Sequence, residues 1–237
     1  MKITPLLLVG AIALTSGNLW AASGRQDSIE RLQMSSDVLH SIMSAPDRGI
    51  PEEVMNGAKC IVVVPHLVKG GFVLGAEHGR GIASCRTAEG WSAPAFVSIG
   101  GGSWGLQIGV EGVDLVMVVM NDRGLQHLLS SKFQVSGDAS ASAGPVGRHA
   151  SAGTDWTMNT ELLTYSRSRG AFAGITLSGA VVEQDADSTR AIYGRDRSFR
   201  SILSGDVHAP RSTQSFLRVV AEMGRAGTIA EANPGQQ

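Results

Sequence analysis

The placement of glycine sets the tightest limit on what this chain can become. Thirty of its 237 residues are glycine and only 5% are aromatic. From Ala58 to Gly194 these glycines fall among runs of β-branched residues. The densest stretch runs from Ser131 to Ser178: SKFQVSGDASASAGPVGRHASAGTD, then the YSRSRGAFAGITLSG run. A flexible linker would be small and polar, without the bulky apolar residues that recur here. The stretch reads instead as closely packed strands with basic edges. Glycines inside strands mark bulges, bends or close backbone approach.

Hydrophobic spacing divides the rest. Residues 26–44 place Ile29, Leu32, Leu39, Ile42 and Met43 near one face, which predicts a helix that Pro46 ends. PEEVMNG (51–57) reads as a second, short helix. CIVVVP (60–65) predicts a buried strand stopped by Pro65, followed by a turn or short helix at HLVKGG. Further strands are expected over 72–86, 93–99, 104–110 and 114–120, with a bend at GGGS. Residues 121–131 switch to helical spacing behind an Asn121 or Asp122 cap. After the glycine-rich stretch come a long strand over 171–183 and helices over 185–194 and 213–227. No linker or repeat divides the chain. Helices at the ends, one helix in mid-chain and otherwise consecutive strands predict an α+β fold. Its sheet would be curved, barrel-like and largely antiparallel, with N- and C-terminal helices packed on it.

The N-terminus carries an export signature: Met1-Lys2, an apolar Leu6–Leu14 core, and LWAASG (19–24), where a cut after Ser23 fits. No cysteine stands near that cut, so a covalent lipid anchor is not expected. The expectation is a periplasmic or secreted protein. Export makes Cys60 and Cys85 a disulfide pair, because the residues between them can form two antiparallel strands; two buried free thiols are the alternative.

Nothing in the sequence assembles a catalytic centre. GGGSWG (100–105) lacks the GK[ST] ending and the helix that a phosphate loop needs. His149, Ser151 and Asp155 have hydrolase residue types but no GxSxG elbow. The six histidines are scattered without metal-ligand spacing, so neither a metal nor another cofactor is expected. A formal net charge of −1 gives no global attraction to nucleic acid. Cationic charge is local. Arginines 190, 195, 197, 200, 211, 218 and 225 face only Asp196, Asp206 and Glu222 over the same stretch.

From Ala58 to Gly194 the chain resembles the SYLF lipid-binding domain family. The resemblance is carried by AKCIVVVPHLVKGGFVLGAEHGRG, WSAPAFVSIGGGSWGLQIG, DLVMVVMNDRGLQHLLSSKF, GDASASAGPVGR and YSRSRGAFAGITLSGAVVEQDADSTRAIYG, in that order. It implies a non-enzymatic, membrane-binding fold. Taken with the residue patterns, the expected division is a signal peptide over about 1–23, with cuts after Ala21 or Ala22 as rivals, N-terminal helices over 24–57, the SYLF-like domain with its C-terminal helix over 58–227 and a disordered tail over 228–237. The resemblance also nominates Lys69, Lys132, Arg148, Arg167 and Arg169, the basic residues inside matching motifs, as contacts for anionic phospholipid headgroups. Eukaryotic members bind phosphoinositides, and some bind actin. Export would put both out of reach, leaving phosphatidylglycerol and cardiolipin of a bacterial envelope as the expected lipids. An envelope protein partner without lipid binding is the alternative. The region 25–57 has three arginines against six carboxylates, unlike the basic membrane helix that members of the family can use.

Overall fold

The computed structural model describes residues 13–44, 49–71, 74–104, 109–146, 160–168, 171–174, 177 and 179–231. The described part is a strongly curled sheet sandwiched between two groups of helices. The chain opens with α1 (Ala13–Met43) and α2 (Glu52–Gly57). Strands β1 (Cys60–Gly71), β2 (Leu74–Thr87), β3 (Gly90–Trp91), β4 (Ala95–Trp104) and β5 (Gly109–Val119) follow. After α3 (Asp122–Leu129) come β6 (Lys132–Gln134), β7 (Ala141–Ala143), β8 (Leu162–Ser168), β9 (Ala171–Gly174) and β10 (Val181–Gln184). Helices α4 (Ala186–Tyr193), α5 (Phe199–Leu203) and α6 (Gln214–Glu231) close the chain. Strand order is β6-β10-β4-β2-β1-β5-β8-β7, with β3 beside β2 and β9 beside β8. Every pairing is antiparallel except the parallel β7–β8 ladder.

Both faces of the sheet are apolar, and alternation along the strands sorts the side chains between them. Cys60, Val62, Val64, Leu67, Ile99, Leu115, Met117, Phe133, Leu162 and Val182 share one buried cluster. This cluster joins β6 and β8, which lie far apart in strand order, so it lines the inside of the curl. Leu128 of α3 and Phe199, Ile202 and Leu203 of α5 complete it. The outer face carries Ile61, Val63, Ile82, Phe96, Val116, Val118, Leu163 and Tyr165. It is covered by Leu32, Leu39 and Ile42 of α1, Val54 and Met55 of α2, and Phe216, Val220 and Met223 of α6.

The expected α+β class, the curved sheet and the flanking helices are what the structure has. The Cys60–Cys85 disulfide is present, at directly opposed register positions of β1 and β2. Three local readings are corrected. Pro65 does not stop its strand: β1 runs on through HLVKGG to Gly71. The register slips between Val64 and Leu67 against β5, so Pro65 sits in a bulge where the missing N–H is tolerated. His66 beside it takes the left-handed conformation, φ 53°, and donates its backbone N–H to Asp114 Oδ1 at 3.1 Å. GGGS lies within one strand, β4, rather than between two. The long strand expected over 171–183 is split into β9 on β8 and β10 between β4 and β6, and Gly179 (φ 85°) lies in the break. Helix α5, which the sequence reading did not separate out, starts where Ser198 Oγ accepts from the Ser201 N–H at 3.1 Å.

Candidate functional site

Three of the five nominated cations are described, and they do not meet. Lys69 follows Leu67 on the inside of the curl, directly opposite both Glu77 and Glu111 in register. Its ammonium is 3.4 Å from the buried Glu77 carboxylate. Arg167 lies on the outer face, in step with Tyr165, and grips Asp114 Oδ2 through Nε at 2.8 Å and Nη2 at 2.6 Å. Lys132 neighbours the inward-facing Phe133 and so points outward from β6, at the far end of the strand order from Arg167. It pairs with Glu183 on β10 at 3.4 Å. Each of the three is thus held by a carboxylate on an adjacent strand. Arg148 and Arg169 lie outside the described residues, as do His149, Ser151 and Asp155.

The other described cations divide in two. Arg25 donates to the carbonyls of Ala191 and Ile192, and Arg86 to those of Ala58 and Met55 while covering the Trp91 ring. Lys59 and Arg123 pair with Asp122 and Glu161, and Arg190 takes both Asp187 and Asp196. Arg31 and Arg80 go to Asp185. Of the arginines with described side chains this leaves Arg195, Arg197, Arg200, Arg211 and Arg218. Among the described residues they have no carboxylate partner. All five lie between the end of α4 and the middle of α6, in or beside short connections. Gly205, in the middle of this segment, lies against Thr87 at the β2–β3 turn. Arg197 is half-buried and the other four are more open to solvent. The arginine surplus was legible in the sequence; that Asp196 is drawn away to Arg190 was not.

Deeper in the fold, Arg31 of α1 reaches Asp185 Oδ2 and Ser188 Oγ, both at 3.0 Å. Asp185 caps α4 by accepting from the Ser188 N–H at 3.0 Å. Burial pushes the Asp185 carboxyl up, but the two Ser188 hydrogen bonds and the charges of Arg31 and Arg80 outweigh it and leave it below its ordinary value. Burial is also the main influence on Arg31, and lowers its guanidinium. These groups are saturated by one another and tie α1 to α4. Among the described residues no three metal-ligating side chains cluster, and no helix is long and apolar enough to cross a membrane.

The described residues form a curled sheet with helices packed on both faces. The chain belongs to the Ysc84 family, whose model, described as Las17-binding protein actin regulator, matches residues 100–223. It is similar to SH3 domain-containing YSC84-like protein 1 of Rattus norvegicus, 32% identical over 179 residues, covering 75% of this chain and 52% of the relative. Protein YSC84 of Saccharomyces cerevisiae is 30% identical over 178 residues, covering 73% of this chain and 38% of that protein. LAS seventeen-binding protein 3 of the same species is 28% identical over 194 residues, covering 80% and 42%. The chain spans about half, or less, of the length of these relatives.

Proposed function

We propose that this protein is an exported, non-catalytic module that binds anionic phospholipid surfaces through the arginines between 195 and 218. The observation that carries the reading is the lack of carboxylate partners for Arg195, Arg197, Arg200, Arg211 and Arg218, against the paired state of Lys69, Lys132 and Arg167. A paired cation has little left to offer a headgroup, whereas an unpaired one near an anionic surface contributes about 1 kcal/mol. Arginine suits phosphate because its planar fork engages two oxygens at once. Export is supported by the N-terminal signal pattern and by the disulfide, which belongs to an oxidising compartment. Cleavage after Ser23 keeps Arg25 and Arg31, which anchor α1.

Vesicle cosedimentation tests the reading. Binding is expected on phosphatidylglycerol vesicles but not on phosphatidylcholine, and it should weaken as salt rises, because exposed charges are screened. The triple variant Arg195→Glu, Arg200→Glu, Arg211→Glu should lose affinity on the order of 100-fold. Equal recovery on both lipids, unchanged in the variant, defeats the reading. A second reading, a protein-interaction module without lipid binding, is favoured by the family model's description, Las17-binding protein actin regulator, and by the name of LAS seventeen-binding protein 3. It expects protein capture that persists in high salt, with no vesicle binding.

A further inference from the structure

We propose that Arg197 is a specific binding point for a phosphoryl group, and not merely one charge within a basic patch. The inference rests on the anionic-surface reading above and names the group that would grip the headgroup. Arg197 is unlike its four neighbours because its side chain is partly enclosed. Its Nε–H is buried and meets no hydrogen-bond acceptor. Buried donors without acceptors are rare and destabilising, so one left in this state on a guanidinium calls for an explanation.

The surroundings fix the residue without neutralising it. The Arg197 carbonyl accepts from Gln184 Nε2 at 2.8 Å, and the Gln184 N–H is bonded to the Ser131 carbonyl at 2.9 Å. The backbone is thus pinned to β10 and to the turn before β6. The Tyr193 hydroxyl is occupied as well, donating to the Pro94 carbonyl at 2.7 Å. Burial raises the Tyr193 phenol and the Arg197 charge partly offsets this. The nearest carboxylate in sequence, Asp196, is taken by Arg190 through Nε at 2.9 Å and Nη2 at 2.8 Å. The adjacent hydroxyl, Ser198 Oγ, is used to cap α5. Asp196, the Tyr193 hydroxyl and Ser198 Oγ are thus each engaged with another group. Exposed Arg195 and Arg200 flank it in sequence and add positive charge.

An incoming phosphoryl oxygen supplies what is missing. It would compensate the guanidinium charge, and a side-chain rotation that uncovers Nε would bring that N–H onto a second oxygen of the same group. A lysine in this position keeps the charge but loses the two-point grip. That difference separates a built contact from diffuse attraction. The shared chemistry is a phosphate oxyanion, from either a lipid headgroup or free phosphate.

NMR of the Arg197 Nε–H resonance tests this in the wild-type chain. Three titrants serve: short-chain phosphatidylglycerol, inorganic phosphate, and chloride at matched ionic strength. Saturable movement of that resonance with a phosphate source and not with chloride is the expected result. Movement with inorganic phosphate alone keeps the site but assigns it to free phosphate, and removes the lipid reading. On phosphatidylglycerol vesicles, Arg197→Lys should lose affinity by about tenfold while Arg218→Lys stays close to wild type. If the resonance ignores both phosphate sources, or if the two lysine variants behave alike while charge reversal still abolishes vesicle binding, Arg197 is not a specific site and only the diffuse patch survives.

Discussion

Arg31 lies on a helix whose sequence suggests balanced surface charge, yet its side chain is 7% exposed and its partner Asp185 is 8% exposed. The two are 154 residues apart, so no local pattern could have joined them. What the sequence did reveal was half of the arrangement: acidic residues opening the helix at 185–194, where Asp185 proves to be the cap. Removing one partner of a buried pair leaves an uncompensated charge, so Arg31→Ala should cost about 3–5 kcal/mol, read as a lowered urea midpoint. The pair also sets a pH dependence. Asp185 is held below its ordinary value of 3.8, so the folded state binds its proton less readily than the unfolded chain does. Its stabilising contribution is therefore full above that value and is lost as the pH falls through the lower, folded one. The gap in stability between wild type and Asp185→Asn should accordingly be widest near neutral pH and close in acid below about pH 4. A gap that stays constant across that range would show that Asp185 acts through its hydrogen bonds alone. Lys69, Lys132 and Arg167 teach a related lesson. Their motifs are legible in sequence, but whether a basic residue is available depends on the carboxylate that strand pairing sets beside it.

At the scale of elements, strands and helices of strong period were legible and breaks in them were less so. The 121–131 helix was visible because Leu125, Leu128 and Leu129 mark a stripe behind an Asn cap, and α3 has that cap, with Asn121 Oδ1 accepting from the Gly124 N–H at 2.9 Å. The end of β1 departs from the proline signal, because a proline normally interrupts a ladder. Here the bulge at Pro65–His66 absorbs it, and the strand continues with its side chains reset by one position. The glycines of β2 facing this bulge are required by that geometry. A Cβ on Gly81 would fall on the Val63 carbonyl oxygen, and one on Gly79 would come within 2.7 Å of Val64 Cγ1. Since the obstruction at Gly81 is backbone in the neighbouring strand, it cannot be relieved by a rotamer change. Gly81→Ala should therefore destabilise by about 1–3 kcal/mol or more, seen as a lower melting temperature. Gly90→Ala is a poor control, because Gly90 has φ 123° and strain of its own. Gly24 lies in a helix with no atom within 4 Å of the added carbon, so Gly24→Ala should leave the melt close to wild type.

For the whole molecule, the decisive fact is that the sheet is apolar on both faces. A sheet of that kind must be covered twice. The inner face is closed by its own curl together with α3 and α5. The outer face is closed by helices near both ends, with α1 lying over β1 and β2 and α6 packed against α1, α2 and β3. That explains why helices gather at the termini, a feature legible in the order of sequence periods, although their meeting on one face was not. It also makes α1 part of the fold rather than an appendage. Two truncations separate its parts. A chain starting at Gly24 retains Arg25, Arg31, Leu32, Leu39 and Ile42, which hold α1 to α4 and to the sheet. It should melt within a few degrees of the full-length chain. A chain starting at Val38 loses Arg31 and Leu32, leaves Asp185 without its main cation and uncovers part of the outer face above Ile82 and Phe96. Loss of the buried pair and of one core leucine together amounts to about 5 kcal/mol or more, comparable with the whole stability of an ordinary domain. This second chain should unfold at low urea or lose a cooperative transition. If it melted like the first, α1 would be a detachable segment and the outer face would be stable without it.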